Sequence, residues 1–293
     1  MQHKVVEGKG GITARAVADS IGAAKVRLTT LELVYPRFIH SEFMTHRVFS
    51  RNASSSRAIP VEKTIRQVID KPATPIHWGK NQPGMQAHEE ISDELRPFAI
   101  RKWKEAAQEM AGRVDHMLEL NVHKQVLNRL LEPFQFINVV VTATEWRNFF
   151  ELRLHKDAQP EIHELARVMD EALRSSVPTP LRWGNWHTPY ALDSLVSIEK
   201  RIVSSVAGCA RVSYKNHDQT ERTYEKDLKL YEMLKASGHM SPFEHQACPI
   251  QYGFHSWDEW EYWSKGITHV DREGTPWSNN FRYWIQERAR LEW

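Results

Sequence analysis

The apolar positions change period several times along the chain, and each change marks an element. Val26, Leu28, Leu31 and Leu33, set among threonines between Lys25 and Val34, predict a strand that Pro36 closes. Ahead of it, Ile12 to Ala24 predicts a short helix, entered through Gly8-Lys9-Gly10-Gly11, a flexible stretch without phosphate-loop spacing. Ile39, Phe43, Met44 and Val48 return to helical spacing. Ile91, Leu95, Phe98, Trp103, Ala107, Met110, Val114 and Met117 outline a long amphipathic helix interrupted near Pro97, and a second helix covers Val122 to Leu131. Phe136 to Thr142 is apolar and β-branched apart from Asn138, the pattern of a strand covered on both faces.

Glu145 opens a helix through Asn148 and Arg153, and Pro160 starts the next, with Ile162, Leu165, Ala166, Met169 and Leu173 inside. Lys71 to Gly84 is a connector, and the Pro- and Trp-rich stretch Pro178 to Pro189 contains a linker. Further helices follow on Leu195, Ile198, Ile202 and Val206, and on Leu228, Tyr231 and Leu234. A strand is expected from Gln246 to Phe254, and Phe281, Trp284, Ile285 and Leu291 form one helical stripe in the tail. Strands and helices are mixed, so the class is α/β (α+β).

At 293 residues the chain buries a substantial core as one large domain or two modest ones. A net charge of +2 argues against a general electrostatic grip on DNA, which would need a broad basic face, so any anion site is expected to be local. Two cysteines, Cys209 and Cys248, make no disulfide framework, and no apolar run suits a signal peptide or a membrane span. A reduced, cytoplasmic location is expected. Six of the eleven tryptophans lie beyond residue 256, a density that suits a core or a subunit interface.

Candidate chemistry concentrates between Thr45 and Arg57. From Phe43 to Val61 there is no carboxylate, while His46, Arg47, Arg51 and Arg57 alternate with Ser50, Asn52 and the serines Ser54, Ser55 and Ser56. Forked guanidinium donors, hydroxyls and turn amides suit phosphate oxygens; a solvated basic loop has the same composition. The histidines His239 and His245 lack the spacing of a helix-face or zinc motif, so no metal site is expected.

The letters add more. His46, Arg47, Ser50, Asn52, Ser55 and Arg57 resemble the signature of the flavin-dependent thymidylate synthases, an Arg-His-Arg followed at set spacing by Ser, Asn-Glu, Ser and Arg. Thr45 stands where that pattern has its first arginine and Ala53 where it has glutamate, two changes that together leave the local charge unaltered. Asn148 through Arg153 to Gln159 resembles the family's third block, and Arg129 before Pro133 resembles its Arg-x-x-Leu-Pro stretch, about three residues closer to Asn148 than usual. Cys209-Ala210-Arg211-Val212-Ser213-Tyr214, a helix, and His239-Met240-Ser241-Pro242-Phe243-Glu244-His245 resemble the family's opening block, an Ala-Arg-Val-Ser strand, a helix and a turn ending in histidine. In the family that block comes first. Its place here implies a circular permutation, with a new N-terminus just before the Lys25 strand and the old ends joined near 183–207.

The resemblance implies a flavin-dependent thymidylate synthase-like fold, a mostly antiparallel central sheet with long helices, over one domain at 1–293. Its parts would be 1–180, a joining segment at 181–207, the permuted block at 208–255 and a Trp-rich extension at 256–293. It implies FAD as cofactor, with NADPH and methylenetetrahydrofolate as co-substrates, and C5 methylation of dUMP to dTMP. His46, Arg47, Ser50, Asn52, Asn148 and His245 would line the flavin; Ser55, Arg57 and Arg129 would hold the nucleotide; Glu42 stands where the family has a substrate-binding glutamine. Arg153 and His245 would be catalytic, Arg153 by stabilising negative charge on the pyrimidine carbonyl. The family is a homotetramer whose sites lie between chains. A reduced flavin carries the difficult chemistry, which fits a chain whose two cysteines lack the electropositive surroundings of a nucleophile. Alternatives are another pyrimidine nucleotide such as dCMP, a hydroxymethyl product, or a non-catalytic flavin-binding, nucleotide-binding or interaction protein on the same scaffold.

Overall fold

The structure is a computed structural model that describes residues 4–212, 222–250, 268–270 and 275–292. In chain order its elements are β1 (Val6–Glu7), β2 (Thr13–Ile21), β3 (Arg27–Pro36), α1 (His40–Met44), β4 (Ser50–Ala53), α2 (Val61–Asp70), α3 (Arg96–Glu119), α4 (Lys124–Leu130), β5 (Phe136–Ala143), α5 (Arg147–Arg153), α6 (Pro160–Ser175), β6 (Thr179–Pro180), α7 (Ile198–Arg211), α8 (Tyr224–Ala236), β7 (Ala247–Pro249), β8 (His269–Val270), β9 (Pro276–Trp277), β10 (Trp284–Gln286) and α9 (Glu287–Glu292). The main sheet runs β1-β2-β3-β5-β4 with antiparallel neighbours, and β6 joins it parallel to β2. This is the antiparallel-centred α/β architecture expected from the sequence.

The alternation of β3 and β5 sorts their side chains into two layers. Leu31, Leu33, Tyr35, Val139 and Val141 join Ile162, Leu165, Ala166 and Met169 of α6 in the largest core. On the other face, Val140 meets Cys209 of α7, and Leu28 meets Ala247, Phe281 and Trp284. That second face also carries Thr30 and Thr142, directly opposite each other in register, with Ser50 opposite Thr142 on the next strand. A rung of three hydroxyls therefore crosses this face of the sheet. Helices α2, α3 and α4 close a satellite core around Val68, Ala111, Val114 and Leu127.

Several expectations are corrected. Ile12 to Ala24 is mostly strand β2, not helix. Ile12, Ala14 and Ala16 alternate inward, but a bulge between Ala16 and Ala18 breaks the period, so the letters lose their strand signature. The end of β2 is fixed by buried Asp19, which accepts from Arg27 at 2.8 and 2.6 Å and from Thr29 at 3.0 Å. The glycine-rich entry is a tight turn in which Gly10 and Gly11 take positive φ and the Lys9 amide donates to Glu164 at 2.9 Å. Helix α1 stops at Met44, because the Thr45 hydroxyl bonds the Glu42 carbonyl at 2.7 Å and competes with the helix ladder. Pro97 lies in the first turn of α3 and starts that helix instead of breaking it.

The stretch Pro178 to Pro189 packs into the fold: Thr179 and Pro180 extend the sheet, and His187 bridges to Ala247. Cys209, Ala210 and Arg211, expected on a strand, are the last turn of α7, whose small residues let it lie close to the sheet; Ser213 and Tyr214 fall outside the described residues. Trp284 and Ile285, expected on a helical stripe, form β10, which pairs with β7, and α9 begins only at Glu287. The strand expected over Gln246 to Phe254 is β7, Ala247–Pro249; residues 251–254 and most of the Trp-rich tail lie outside the described residues. No helix among the described residues is long and apolar enough to cross a membrane.

Candidate functional site

The turn after α1 and the end of α5 meet over an aromatic floor. Phe149 packs edge-on to His46 at 4.8 Å between ring centroids and lies 5.5 Å from Phe49. Arg153, at the C-terminus of α5, reaches back across this floor. Its Nε donates to His46 Nε2 at 3.0 Å, one terminal nitrogen donates to Thr45 Oγ1 at 3.3 Å, and the other lies 3.7 Å from the Glu42 carboxylate. Burial, then the charges of Arg153 and Arg51, lower the His46 pKa to about 4. The imidazole is therefore neutral at pH 7, accepts through Nε2 and carries its proton on Nδ1. Thr45, at the place of the signature arginine, supplies Arg153 with an acceptor where a second cation would repel it.

Thr45, His46, Phe49, Phe149 and Arg153 line a cleft of about 400 Å³ together with Arg47, Val48, Asn148 and Leu152. Arg47 and Asn148 are exposed at its rim. Arg51, by contrast, turns inward and ties the end of α1, donating to the carbonyls of Met44 and His46 at 3.0 and 3.1 Å.

Ser50, Asn52 and His245 form a second, interior group. Asn52 donates to the Cys209 carbonyl at 2.7 Å and accepts from Ser241 at 3.4 Å, while the Ser50 hydroxyl accepts from Asn280 at 3.1 Å and Gln286 at 3.0 Å. His245 is fully buried, its Nδ1 lies 2.8 Å from Thr142 Oγ1, and its Nε2 has no hydrogen-bond partner. Burial, reinforced by His187, brings its pKa down to about 3. The adjacent Gln246 Oε1 is likewise buried without a partner.

The third group is Ser55, Arg57 and Arg129. Buried Asn128 holds their loop in place, donating to the carbonyls of Ser56 at 2.7 Å and Ile59 at 2.8 Å, and Ser56 donates to Glu132 at 2.9 Å. Arg57 and Arg129 remain exposed. The structure thus joins His46, Arg47, Asn148 and Arg153 in one cleft, with Glu42 beside Arg153 but outside the lining, places Ser50, Asn52 and His245 behind β4, and sets Ser55, Arg57 and Arg129 beyond its other end. His245 does not line the cleft of Arg153 within one chain.

Residues that sequence reasoning missed are Thr30, Thr142, His187, Asn280 and Gln286. Each meets its partner across 103 to 236 residues of chain, so no local spacing signals it. Cys209 and Cys248 are buried and neither forms a disulfide among the described residues, and burial pushes the Cys248 thiol up to about 11, far from a reactive thiolate. Among the described residues no group of three His, Cys, Asp or Glu could hold a metal ion.

With this geometry in view, comparison with known proteins identifies the class. The family described as thymidylate synthase complementing protein matches residues 26–179, more than half of the chain. The chain belongs to that family, the one its signature stretches resemble. Among solved structures, it is similar to a UMP/dUMP methylase, PolB from Streptomyces cacaoi. The form bound with 5-Br UMP shares 18% identity at a TM-score of 0.46, over 57% of this chain and 91% of that one. The form bound with 5-Br dUMP shares 17% at 0.47, over 57% and 92%. No curated protein sequence matches the chain.

Proposed function

We propose that the protein transfers a one-carbon unit to C5 of a pyrimidine nucleoside monophosphate, dUMP first, with FAD as cofactor, methylenetetrahydrofolate as carbon donor and NADPH as reductant. The observation that carries this reading is the contact between His46 and Arg153, 107 residues apart, which joins two family blocks in one cleft. Membership of the family supports the reaction class.

The residues fit a flavin. An aromatic floor, a neutral His46 and the unpartnered Nε2 of buried His245 suit a flat heterocycle with several acceptors. His46, Arg47, Ser50, Asn52, Asn148 and His245 would hold it, and the reduced flavin would supply the electrons that complete the methyl group. Arg153 faces the pyrimidine and places a fixed positive charge where its carbonyl oxygen becomes negative, while Thr45 and Glu42 orient the guanidinium. Arg57, Arg129 and the Ser55 hydroxyl bind the phosphate. The cleft is open at its rim, and a second copy of the chain completes it. The packing of Ser241 and Cys209 onto Asn52 supports a permuted order of the same blocks, since the late segment supplies what the family places first.

The test is a flavin titration followed by turnover. FAD added to the purified protein is expected to show the shifted absorbance of a bound flavin. With methylenetetrahydrofolate and NADPH, dUMP should gain a C5 carbon detectable by mass; a dCMP arm distinguishes the base. Failure to take up FAD favours a nucleotide-binding or interaction role on this scaffold, and no C5 product from either nucleotide counts against the reaction.

A further inference from the structure

A continuous chain of hydrogen bonds runs through the sheet and ends at His245. Ser20 Oγ lies 2.9 Å from His187 Nδ1, and His187 Nε2 lies 2.8 Å from Thr30 Oγ1. Thr30 and Thr142 are joined hydroxyl to hydroxyl at 2.7 Å, and Thr142 meets His245 Nδ1 at 2.8 Å. All five side chains are at most 5% exposed. Burial keeps both imidazoles neutral, so each carries one ring proton.

Donor counting links the two rings. Each hydroxyl has one proton, so the bonds run one way along the whole chain without leaving a hydroxyl idle inside it. If they run from Ser20 towards His245, both histidines carry the proton on Nε2, and the one buried donor left over is His245 Nε2–H. If they run the other way, both carry it on Nδ1. The Ser20 proton then lacks an acceptor within the chain, and His245 Nε2 is a bare lone pair, so two groups are unsatisfied instead of one. The first direction is favoured.

We propose that Ser20, His187, Thr30 and Thr142 are positioning residues that hold His245 as the Nε2–H tautomer, leaving that N–H free to donate to a carbonyl oxygen or ring nitrogen of a bound heterocycle. The ligand half of this statement rests on the function proposed above; the tautomer half does not. No proton is passed along the chain, since the Ser20 hydroxyl ends it and an alkoxide there would be prohibitive.

The test is ¹⁵N NMR of the histidine-labelled protein without added ligand at pH 7, with the His187 and His245 signals assigned by their loss in H187Q and H245Q. Both rings are expected to show a protonated Nε2 and an unprotonated Nδ1. In T30V, whose altered residue does not touch His245, the two nitrogen signals of His245 should move together towards the tautomer average, and T30S should restore their separation. Opposite tautomers on the two rings, a protonated Nδ1 on His245, or unaltered His245 signals in a folded T30V would overturn the proposal. A purely structural role would lower thermal stability without moving those signals. If T30V does not fold, the wild-type tautomer pair decides. Protein with the expected pair that takes up no FAD defeats the functional reading and leaves the tautomer assignment intact; flavin binding with the opposite pair does the reverse.

Discussion

Acidification tests the buried imidazoles quantitatively. Burial lowers the pKa of both His187 and His245 to about 3, with Asp19 opposing the shift at His187 and His187 adding to it at His245. In the unfolded chain each titrates near 6.5, so between that value and about 3 the unfolded state binds more protons. Stability therefore falls as pH drops. From pH 7 to pH 5 one such ring removes about 2 kcal/mol and the pair about 4 kcal/mol, a large share of the roughly 5–15 kcal/mol that a folded domain has. His46 and His40, lowered to about 4 chiefly by burial, act in the same direction. Urea unfolding followed by far-ultraviolet circular dichroism at pH 7, 6 and 5 should show the midpoint falling by about 1.3 M or more for an m-value near 3 kcal/mol/M. H187Q, which retains a hydrogen-bonding amide but cannot titrate, should reduce the pH 7-to-5 loss by about 2 kcal/mol. A midpoint independent of pH over this range, or the parental pH dependence in H187Q, would refute the assignment of these rings as buried and neutral.

R153K keeps a positive charge but loses the fork that spans His46 and Thr45; product formation should fall roughly 10²-fold with the fold intact by circular dichroism. N128A leaves the Ser56 and Ile59 carbonyls without their donor and should destabilise the protein by about 1–3 kcal/mol; on the proposed function, in which this loop holds the phosphate, it should also raise KM for the nucleotide more than it lowers kcat. C248A should retain C5 product formation, because burial holds the Cys248 thiol protonated and the proposed route uses no thiol nucleophile; loss of turnover in a folded C248A would bring the covalent route back. D19N removes the charge that two bonds from Arg27 answer and should lower stability by about 3–5 kcal/mol, read as a lower thermal midpoint.

What the sequence disclosed, and what it hid, follows from the range of the interactions. Strands β3 and β5 were legible because apolar and β-branched residues filled each run, and α3, α4 and α6 because their stripes repeat over several turns. Strand β2 was hidden by its bulge and its alanines, which carry no β preference of their own; pairing with β3 overrides that. Strand β10 was hidden because Trp284 and Ile285 also fit a helical stripe, and only the distant Leu28 and Ala247 decide between the two. The cleft of His46 and Arg153 was legible through motif resemblance, but the way Thr45 and Glu42 orient Arg153 was not. Nor was the link from Ser20 to His245, whose members are drawn from β2, β3, β5, the Pro-rich stretch and the turn before β7. A hydroxyl in a strand looks like ordinary β-branched filling until its cross-strand partner is known.

The central claim is that Arg153 and the Ser55 loop hold a pyrimidine nucleotide beside a flavin. A crystal structure of the protein with FAD and dUMP tests it most directly. The account predicts the phosphate on Ser55, Arg57 and Arg129 and the pyrimidine carbonyl at Arg153. A nucleotide seated elsewhere, with Arg153 still bonded only to His46 and Thr45, would contradict it.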